Sequence, residues 1–267
     1  MTTPHDRPRP TVAALAAAFL VAVASTACAA AEGPATGASP SARTATPSEP
    51  APPRADVTPE APAPEAEPTP EPTPDLRPTE APARSVAAGT VAEGAPAAAE
   101  GRGSAEVTFE RDGEFAVVVH LDCSACSGAT VLTGPDRGTP FGAADGALAG
   151  DYLMDVFKGG DPEQAVWLAA EGPWSLRFES WNDLAPVTGE QSGDGSKVLA
   201  FGDTATRLDV EFAPAGPDDS FAGRYFSVSG SPRVFGDSVA FTDSYDVSLP
   251  GVLAITTNGS WTVTPGS

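Results

Sequence analysis

The pattern of apolar and polar positions divides the chain into three stretches. A continuously apolar run covers residues 12–24, and residues 29–100 are then mostly Ala, Pro, Thr and Glu, with almost no aromatic residues. From residue 101 onward, short runs of Val, Leu, Phe and Thr alternate with polar positions and are broken by Gly, Pro and Asp. Such runs are typical of β-strands joined by turns, and no stretch has a convincing helical period. The pattern predicts an all-β region after a disordered N-terminal region.

The β region contains an internal repeat. The motif GRGSAEVTF at 101–109 lines up with GDGSKVLAF at 193–201. A second pair of motifs follows in the same order, so we predict two tandem β-repeats, 101–190 and 191–267. Each has roughly 75–85 residues and about five strands, with alternation that buries one face. They form one β-sandwich or two packed sandwiches.

Each copy closes on a turn followed by a tryptophan. Residues 258–259 are Asn-Gly between two apolar runs, which is a strong signal for a two-residue hairpin, and 172–173 hold the same place in the first copy. Trp174 and Trp261 share a face with the apolar residues that follow them. We therefore predict two hairpins and two core tryptophans.

These motifs resemble a family of secreted and lipid-anchored actinobacterial β-sandwich proteins of unassigned function. Repeats of that family open with a Gly-x-Gly-(Asp/Ser) strand and close with a Gly-x-Trp hairpin. The resemblance covers residues 101 to about 265 and implies β-sandwich modules on the cell surface, with no catalytic residues. The chain departs from the family by carrying Cys123 and Cys126, and by having Ser104 and Ser196 where an acidic residue is often found.

The N-terminus is typical of a secretion signal. Residues 1–27 contain two arginines, the apolar run and then small residues, and the run is short for a transmembrane helix. Cys28 follows in a setting that resembles the bacterial lipobox, although Ser25 stands where Leu, Val or Ile is usual. The resemblance implies that Cys28 becomes the lipidated N-terminus of the mature protein. The alternatives are cleavage near residues 27–30, which would release the protein, and an uncleaved anchor.

The stretch from 28 to 100 is predicted to be a disordered tether. Proline fixes φ and removes a backbone donor, and spaced like charges repel, so the segment should be extended. In polyproline geometry it would reach on the order of 200 Å. The expected location is therefore the outer face of the cytoplasmic membrane, with a lipid as the anchor.

The charge balance limits the partners. Asp and Glu number 36 against 15 Lys and Arg, a formal net charge of −21. Nucleic acids bind through neutralisation by Lys and Arg, and anionic lipid surfaces attract the same residues, so neither is expected to bind the protein directly. A cell-envelope protein or polysaccharide fits better.

Cys123 and Cys126 form the sharpest local motif. Outside the cytoplasm such a pair usually becomes a disulfide. Redox activity would need a stabilised thiolate, which the adjacent Asp122 disfavours, and the motif is also compatible with metal binding or with free thiols. His120 adds a third zinc-type ligand, but a structural zinc site needs four. Because its neighbours along the strand are apolar, His120 is predicted to point outward at the surface.

Other candidate chemistry is weaker. Asp237 and Ser238 resemble the GDSL esterase motif, but no histidine base follows them, so that triad is excluded. Carboxylate clusters are predicted to lie in solvated turns, with a Ca²⁺ site or a glycosidase pair as alternatives. These clusters comprise Asp151, Asp155, Asp218, Asp219, Asp237, Asp243 and Asp246. Trp167 and Trp181 are out of phase with the buried positions, and we consider them either ligand contacts or partly buried against the other repeat.

Taken together, the sequence predicts a surface lipoprotein that displays a non-catalytic binding or structural module, with no catalytic residues, metal or cofactor. The alternatives from different classes are an extracytoplasmic carboxylate-dependent hydrolase and a CxxC redox lipoprotein.

Overall fold

The computed structural model describes Pro78 and residues 80–154, 161–227 and 231–267. Within these ranges the chain forms eighteen β-strands and one short 3₁₀ turn, so the all-β prediction is confirmed. None of the described elements is a helix long and apolar enough to cross a membrane. The predicted signal, Cys28 and most of the predicted tether lie outside the described residues.

Nine strands build the first sandwich from two sheets. They are β1 (Ser85–Ala92), β2 (Ala97–Arg102), β3 (Ala105–Asp112), β4 (Val117–Cys123), β5 (Ser127–Thr133), β6 (Gly142–Asp145), β7 (Leu148–Met154), β8 (Glu163–Glu171) and β9 (Pro173–Ser180). Sheet A has the order β1-β3-β8-β5-β6, and sheet B has the order β2-β9-β4-β7.

Nine further strands build the second sandwich. They are β10 (Pro186–Val187), β11 (Gln191–Asp194), β12 (Lys197–Phe201), β13 (Arg207–Ala213), β14 (Ala222–Ser227), β15 (Arg233–Phe235), β16 (Phe241–Asp246), β17 (Gly251–Thr256) and β18 (Ser260–Gly266). Sheet C has the order β10-β12-β17-β14-β15, and sheet D has the order β11-β18-β13-β16.

The two sandwiches have the same topology. Adding nine to each strand number of sheets A and B gives the orders of sheets C and D. The unusual pairing is repeated as well, because β1 runs parallel to β3 and β10 runs parallel to β12. The tandem repeat is therefore a repeat of complete sandwiches, two rather than one.

The sequence pattern predicted about five strands in each repeat, whereas each sandwich has nine. Strands β1 and β2 lie almost entirely in the stretch assigned to the tether, so the first sandwich begins at Ser85 rather than near residue 101. Both strands are rich in alanine, and their larger apolar residues are only the two valines of β1, Val86 and Val91, which are too few to make alternation visible. Ala97 and Ala99 are nevertheless buried in the core. Several other strands have only two to four residues, which is too short for a periodic signal.

The two predicted hairpins are wrong. The turn at 172 joins β8 of sheet A to β9 of sheet B, and the turn at 257–259 joins β17 of sheet C to β18 of sheet D. In both repeats the chain crosses between sheets instead of pairing with itself. An Asn-Gly dipeptide between apolar runs signals a reversal of direction, but the pairing partners of each strand are set by the whole sheet.

The crossing in the second sandwich is held by a carboxylate. Asp219 accepts hydrogen bonds from the backbone N–H groups of Asn258 (3.0 Å), Ala215 (2.9 Å) and Ser220 (2.8 Å) and from the Thr257 hydroxyl (3.2 Å). Burial acts to raise the pKa of this carboxyl, but these hydrogen bonds outweigh it and lower the pKa. Asp219 is a structural residue that the sequence analysis placed among the solvated turns.

The Gly-x-Gly and tryptophan motifs fit together in space. The indole Nε1 of Trp174 donates to the Gly103 carbonyl at 2.7 Å, and that of Trp261 donates to the Gly195 carbonyl at 2.8 Å. The first glycine of each motif leaves room for the ring, because a Cβ on Gly101 would lie 2.3 Å from the Trp174 ring. Both tryptophans are 4% exposed, which confirms that they are core residues.

Replacing either core tryptophan with phenylalanine should destabilise the fold. The change keeps an aromatic ring but leaves the carbonyl of Gly103 or Gly195 without its donor, which typically costs about 1–3 kcal/mol. We expect Trp174→Phe and Trp261→Phe to lower the free energy of unfolding in urea by similar amounts. Trp167→Phe is the matched control and should have a smaller effect, because Trp167 bonds a side chain on a half-buried surface. Equal losses for all three variants would contradict the assignment.

Candidate functional site

The two sandwiches meet along a buried seam, which we define as the contact between the outer faces of sheets B and C. Strand alternation places every second residue of β4 and β7 on the outer face of sheet B and every second residue of β12, β14 and β17 on that of sheet C. The apolar side chains buried there are Ala116, Val118, Leu153, Val198, Phe226 and Ala254. These positions form a third hydrophobic cluster, separate from the two sandwich cores.

The second sandwich also covers the edge of the first. The backbone N–H of Asp151, on edge strand β7, donates to the Ser196 carbonyl at 3.0 Å. The Arg224 guanidinium donates to the Leu153 carbonyl at 2.9 Å, and the Asn258 amide donates to the Ala143 carbonyl on β6 at 3.1 Å. An edge strand normally leaves such groups open to another chain, and here the chain satisfies them itself.

A charged cluster borders the apolar part of the seam. The ring nitrogens of His120 contact two carboxylates, with Nδ1 2.6 Å from Asp151 and Nε2 2.8 Å from Glu179. Lys197 of the second sandwich lies 2.5 Å from the other oxygen of Asp151, and Arg177 pairs with Glu179. The ion pair between Lys197 and Asp151 therefore connects the two sandwiches.

The surroundings of the His120 ring favour its charged form. Burial acts to lower its pKa, but hydrogen bonds and attraction from Asp151 and Glu179 outweigh burial and raise the pKa above 6.5. Burial acts to raise the pKa of Asp151, and His120 and Lys197 reverse this and lower it. Each ring nitrogen faces a carboxylate, and in the charged form both nitrogens donate, so neither can accept a proton from a nucleophile. The cluster is suited to joining surfaces and unsuited to general-base catalysis.

His120 does point out of its own sandwich, as predicted, but it is half-buried rather than at the surface. The second sandwich covers the face on which it lies. The sequence does carry a signal for this contact. Val118 and Leu153 are apolar at outward positions. In the second repeat, the strand registers aligned on Trp174 and Trp261 put the charged residues Arg207 and Asp246 at the equivalent positions.

The two outward tryptophans have different surroundings. Trp181 lies in the 3₁₀ turn (Trp181–Asp183) and packs edge-on against Phe226 of the second sandwich, with ring centroids 5.9 Å apart. It is partly buried against the other repeat, which is one of the two interpretations of the sequence. Trp167 lies on the outer face of sheet A, half-buried, and its Nε1 donates to the Glu106 carboxylate at 3.1 Å. Its role as a ligand contact stays a prediction.

Cys123 and Cys126 form a disulfide with their Cα atoms 5.2 Å apart. The bond joins the end of β4 to the residue before β5, and the Cys126 N–H donates to the Cys123 carbonyl within the same turn. Both cysteines are buried. The pair therefore has the surroundings of a local structural staple.

The remaining acidic candidates do not assemble. In the described parts of the chain, no group of three or more His, Cys, Asp or Glu side chains is arranged so that it could hold a metal ion. In the GDSL-like motif, the Asp237 carboxylate accepts a hydrogen bond from the backbone N–H of Ser238. This is a local turn contact.

A cleft of about 1160 Å³ opens at one end of the first sandwich. Small-molecule sites are usually apolar with a few convergent polar groups. Charged residues form a large part of this lining, namely Glu110, Arg111, Asp136, Arg137, Asp161 and Glu163. We therefore regard the seam as the better defined feature.

Replacing a buried apolar residue of the seam with a charged residue, as found on the equivalent face of the second repeat, should disrupt the seam. Val118 is fully buried, so Val118→Asp would bury a carboxylate without a partner. We expect the free energy of unfolding in urea to fall by about 3 kcal/mol or more. The reciprocal variant Asp209→Val changes a partly exposed position and should cost about 1 kcal/mol or less. Equal effects of the two variants would contradict the seam.

The charged cluster predicts a pH dependence of stability. The folded-state pKa of His120 is raised, so the charged ring stabilises the fold fully below about pH 6.5, and this contribution is lost as pH rises through the folded-state pKa. Asp151 acts in the opposite range, since its contribution is lost as pH falls through its lowered pKa. Urea unfolding midpoints should therefore decline on the alkaline side, and His120→Gln should flatten that decline. An unchanged alkaline profile in His120→Gln would show that another group is responsible.

Comparisons with known proteins add little. No family model matches the chain, and no curated protein matches it in sequence. Among solved structures, the STIV MCP aligns over 60% of this chain and 90% of its own, with 7% identity and a TM-score of 0.16. A TM-score this low carries no argument about function.

Proposed function

We propose that this protein is a cell-surface lipoprotein that displays a non-catalytic, two-sandwich module for binding or for a structural role in the cell envelope. The observation that carries the proposal is the seam. It joins two complete sandwiches through a buried apolar cluster, an ion pair and three edge hydrogen bonds. Such a contact presents the outer surfaces of both sandwiches in a fixed arrangement, which suits recognition of a partner.

The chemistry of the described residues supports a role without catalysis. The histidine at the seam has both ring nitrogens engaged by carboxylates, and the cysteine pair is a buried disulfide at a turn. The redox alternative would need the disulfide in a different state, and a hydrolase that used this histidine as its base would need a free ring nitrogen. A general base needs a nitrogen that can accept a proton, and a redox pair needs an accessible thiolate.

The anchor is proposed from the N-terminal sequence. In this proposal the signal is cleaved before Cys28, the cysteine is lipidated, and the Pro- and Glu-rich segment holds the module away from the membrane. The tether would end just before β1 at Ser85 rather than near residue 100. A cell-envelope protein or polysaccharide would be the partner.

The proposal is tested by mass spectrometry of the mature N-terminus. We expect cleavage directly before Cys28, with a diacylglycerol on the cysteine. The variant Cys28→Ala should shift the protein from the membrane fraction to the medium, while its urea unfolding curve stays unchanged. An unmodified N-terminus near Ala30 in the native protein would mean that the module is released, and the anchor would then have to be abandoned.

A further inference from the structure

The repeat leaves one sandwich edge open that its counterpart has covered. In the first sandwich, edge strands β6 and β7 are covered by the second sandwich. The equivalent edge of the second sandwich is formed by β15 of sheet C and β16 of sheet D. In the described parts of the chain, no element hydrogen-bonds to β15 or β16 from outside their own sandwich.

The covered edge shows which chemistry fits this position. The second sandwich places two cations against the covered edge. Lys197 pairs with the Asp151 carboxylate, and Arg224 donates to the Leu153 backbone carbonyl. This sandwich also presents apolar side chains, including Val198, and a backbone carbonyl at Ser196 that accepts from the edge strand. An occupant of this edge therefore combines positive charge, apolar side chains and extended backbone.

The open edge has matching features. Val234 on β15 and Val239 in the turn before β16 are the large apolar side chains most open to solvent in the described chain, at 76% and 60% exposed. Between residues 233 and 246 the chain carries three aspartates, Asp237, Asp243 and Asp246, against one arginine. Burial is the largest cause of a raised pKa of the Tyr245 phenol, and the negative charges of Asp243 and Asp237 raise it further. Both carboxylates therefore lie close to this edge.

The backbone of β16 is available for pairing. Among the described strands, this six-residue strand pairs only with β13, on one side. The backbone N–H of Ser244 is satisfied by the Asp243 carboxylate at 2.9 Å, a contact within the strand itself. A positively charged partner would attract that carboxylate and free the N–H for a carbonyl of an added strand.

We propose that the edge formed by β15, the turn at 236–240 and β16 docks a positively charged, extended segment of a partner protein. The inference rests on the proposed function, since it names the binding surface of the displayed module. The aspartates attract the cations of the segment, its apolar side chains cover Val234 and Val239, and its backbone adds along β16.

The test uses the full chain and two capped synthetic peptides, one of four Lys-Val repeats and one of four Glu-Val repeats. Hydrogen exchange followed by mass spectrometry should show slower exchange in residues 233–246 with the Lys-Val peptide and no change with the Glu-Val peptide. The double variant Asp237→Asn/Asp243→Asn should weaken binding of the Lys-Val peptide by about tenfold. Both substitutions keep an oxygen that can accept the local turn hydrogen bonds.

The matched control removes two charges elsewhere. Glu110→Gln/Glu163→Gln lies on paired strands of sheet A and should leave the affinity within about threefold. Equal weakening by both double variants would mean general attraction to an acidic protein, and slower exchange outside residues 233–246 would place the contact elsewhere. Either result overturns the docking surface, as does an absence of binding. None of these results affects the Cys28 measurement, so failure of the anchor and failure of the docking surface are distinguishable.

Discussion

The arrangement of this protein depends on a few outward side chains of sheet B. Val118 and Leu153 point away from their own core, where a strand of a free sandwich would carry polar residues. Their equivalents in the second repeat are the charged residues Arg207 and Asp246. This pair of positions is apolar in the repeat whose face the second sandwich covers, and charged in the other repeat. The difference between the repeats therefore marks the face through which the two sandwiches join.

The distribution of cations follows from the same contact. The protein is strongly acidic, yet Lys197, Arg224, Arg177 and His120 gather where the sandwiches meet. Bringing two acidic surfaces together costs electrostatic free energy, and local cations offset it. Half-buried pairs are also screened less by salt than pairs on the surface. The seam thus combines an apolar centre, which supplies most of the stabilisation, with charged neighbours that fix the register of the two sandwiches.

The sequence predicted the elements that have a strong local signal. The alternation in β4 and β13, the repeated Gly-x-Gly motif and the core tryptophans were all visible. Strands β1 and β2 were missed because alanine carries little periodic signal. The crossings between sheets were mistaken for hairpins because local turn chemistry does not determine which strands pair. The seam was missed because a half-buried histidine and an outward valine acquire meaning only when the second sandwich covers them.

Comparing the two sandwiches distinguishes residues that stabilise the fold from residues that make contacts outside their own sandwich. Features present in both sandwiches, such as the indole bonds to Gly103 and Gly195, belong to the stability of the fold. Features present in only one sandwich indicate the surface through which that sandwich contacts another part of the chain or a partner. By this criterion the disulfide belongs to the first sandwich, the charged residues His120, Asp151 and Glu179 mark its contact with the second, and the exposed valines with their aspartates belong to the second. Because the first sandwich uses its distinctive edge to hold its neighbour, we propose the distinctive edge of the second as the place where a further partner docks.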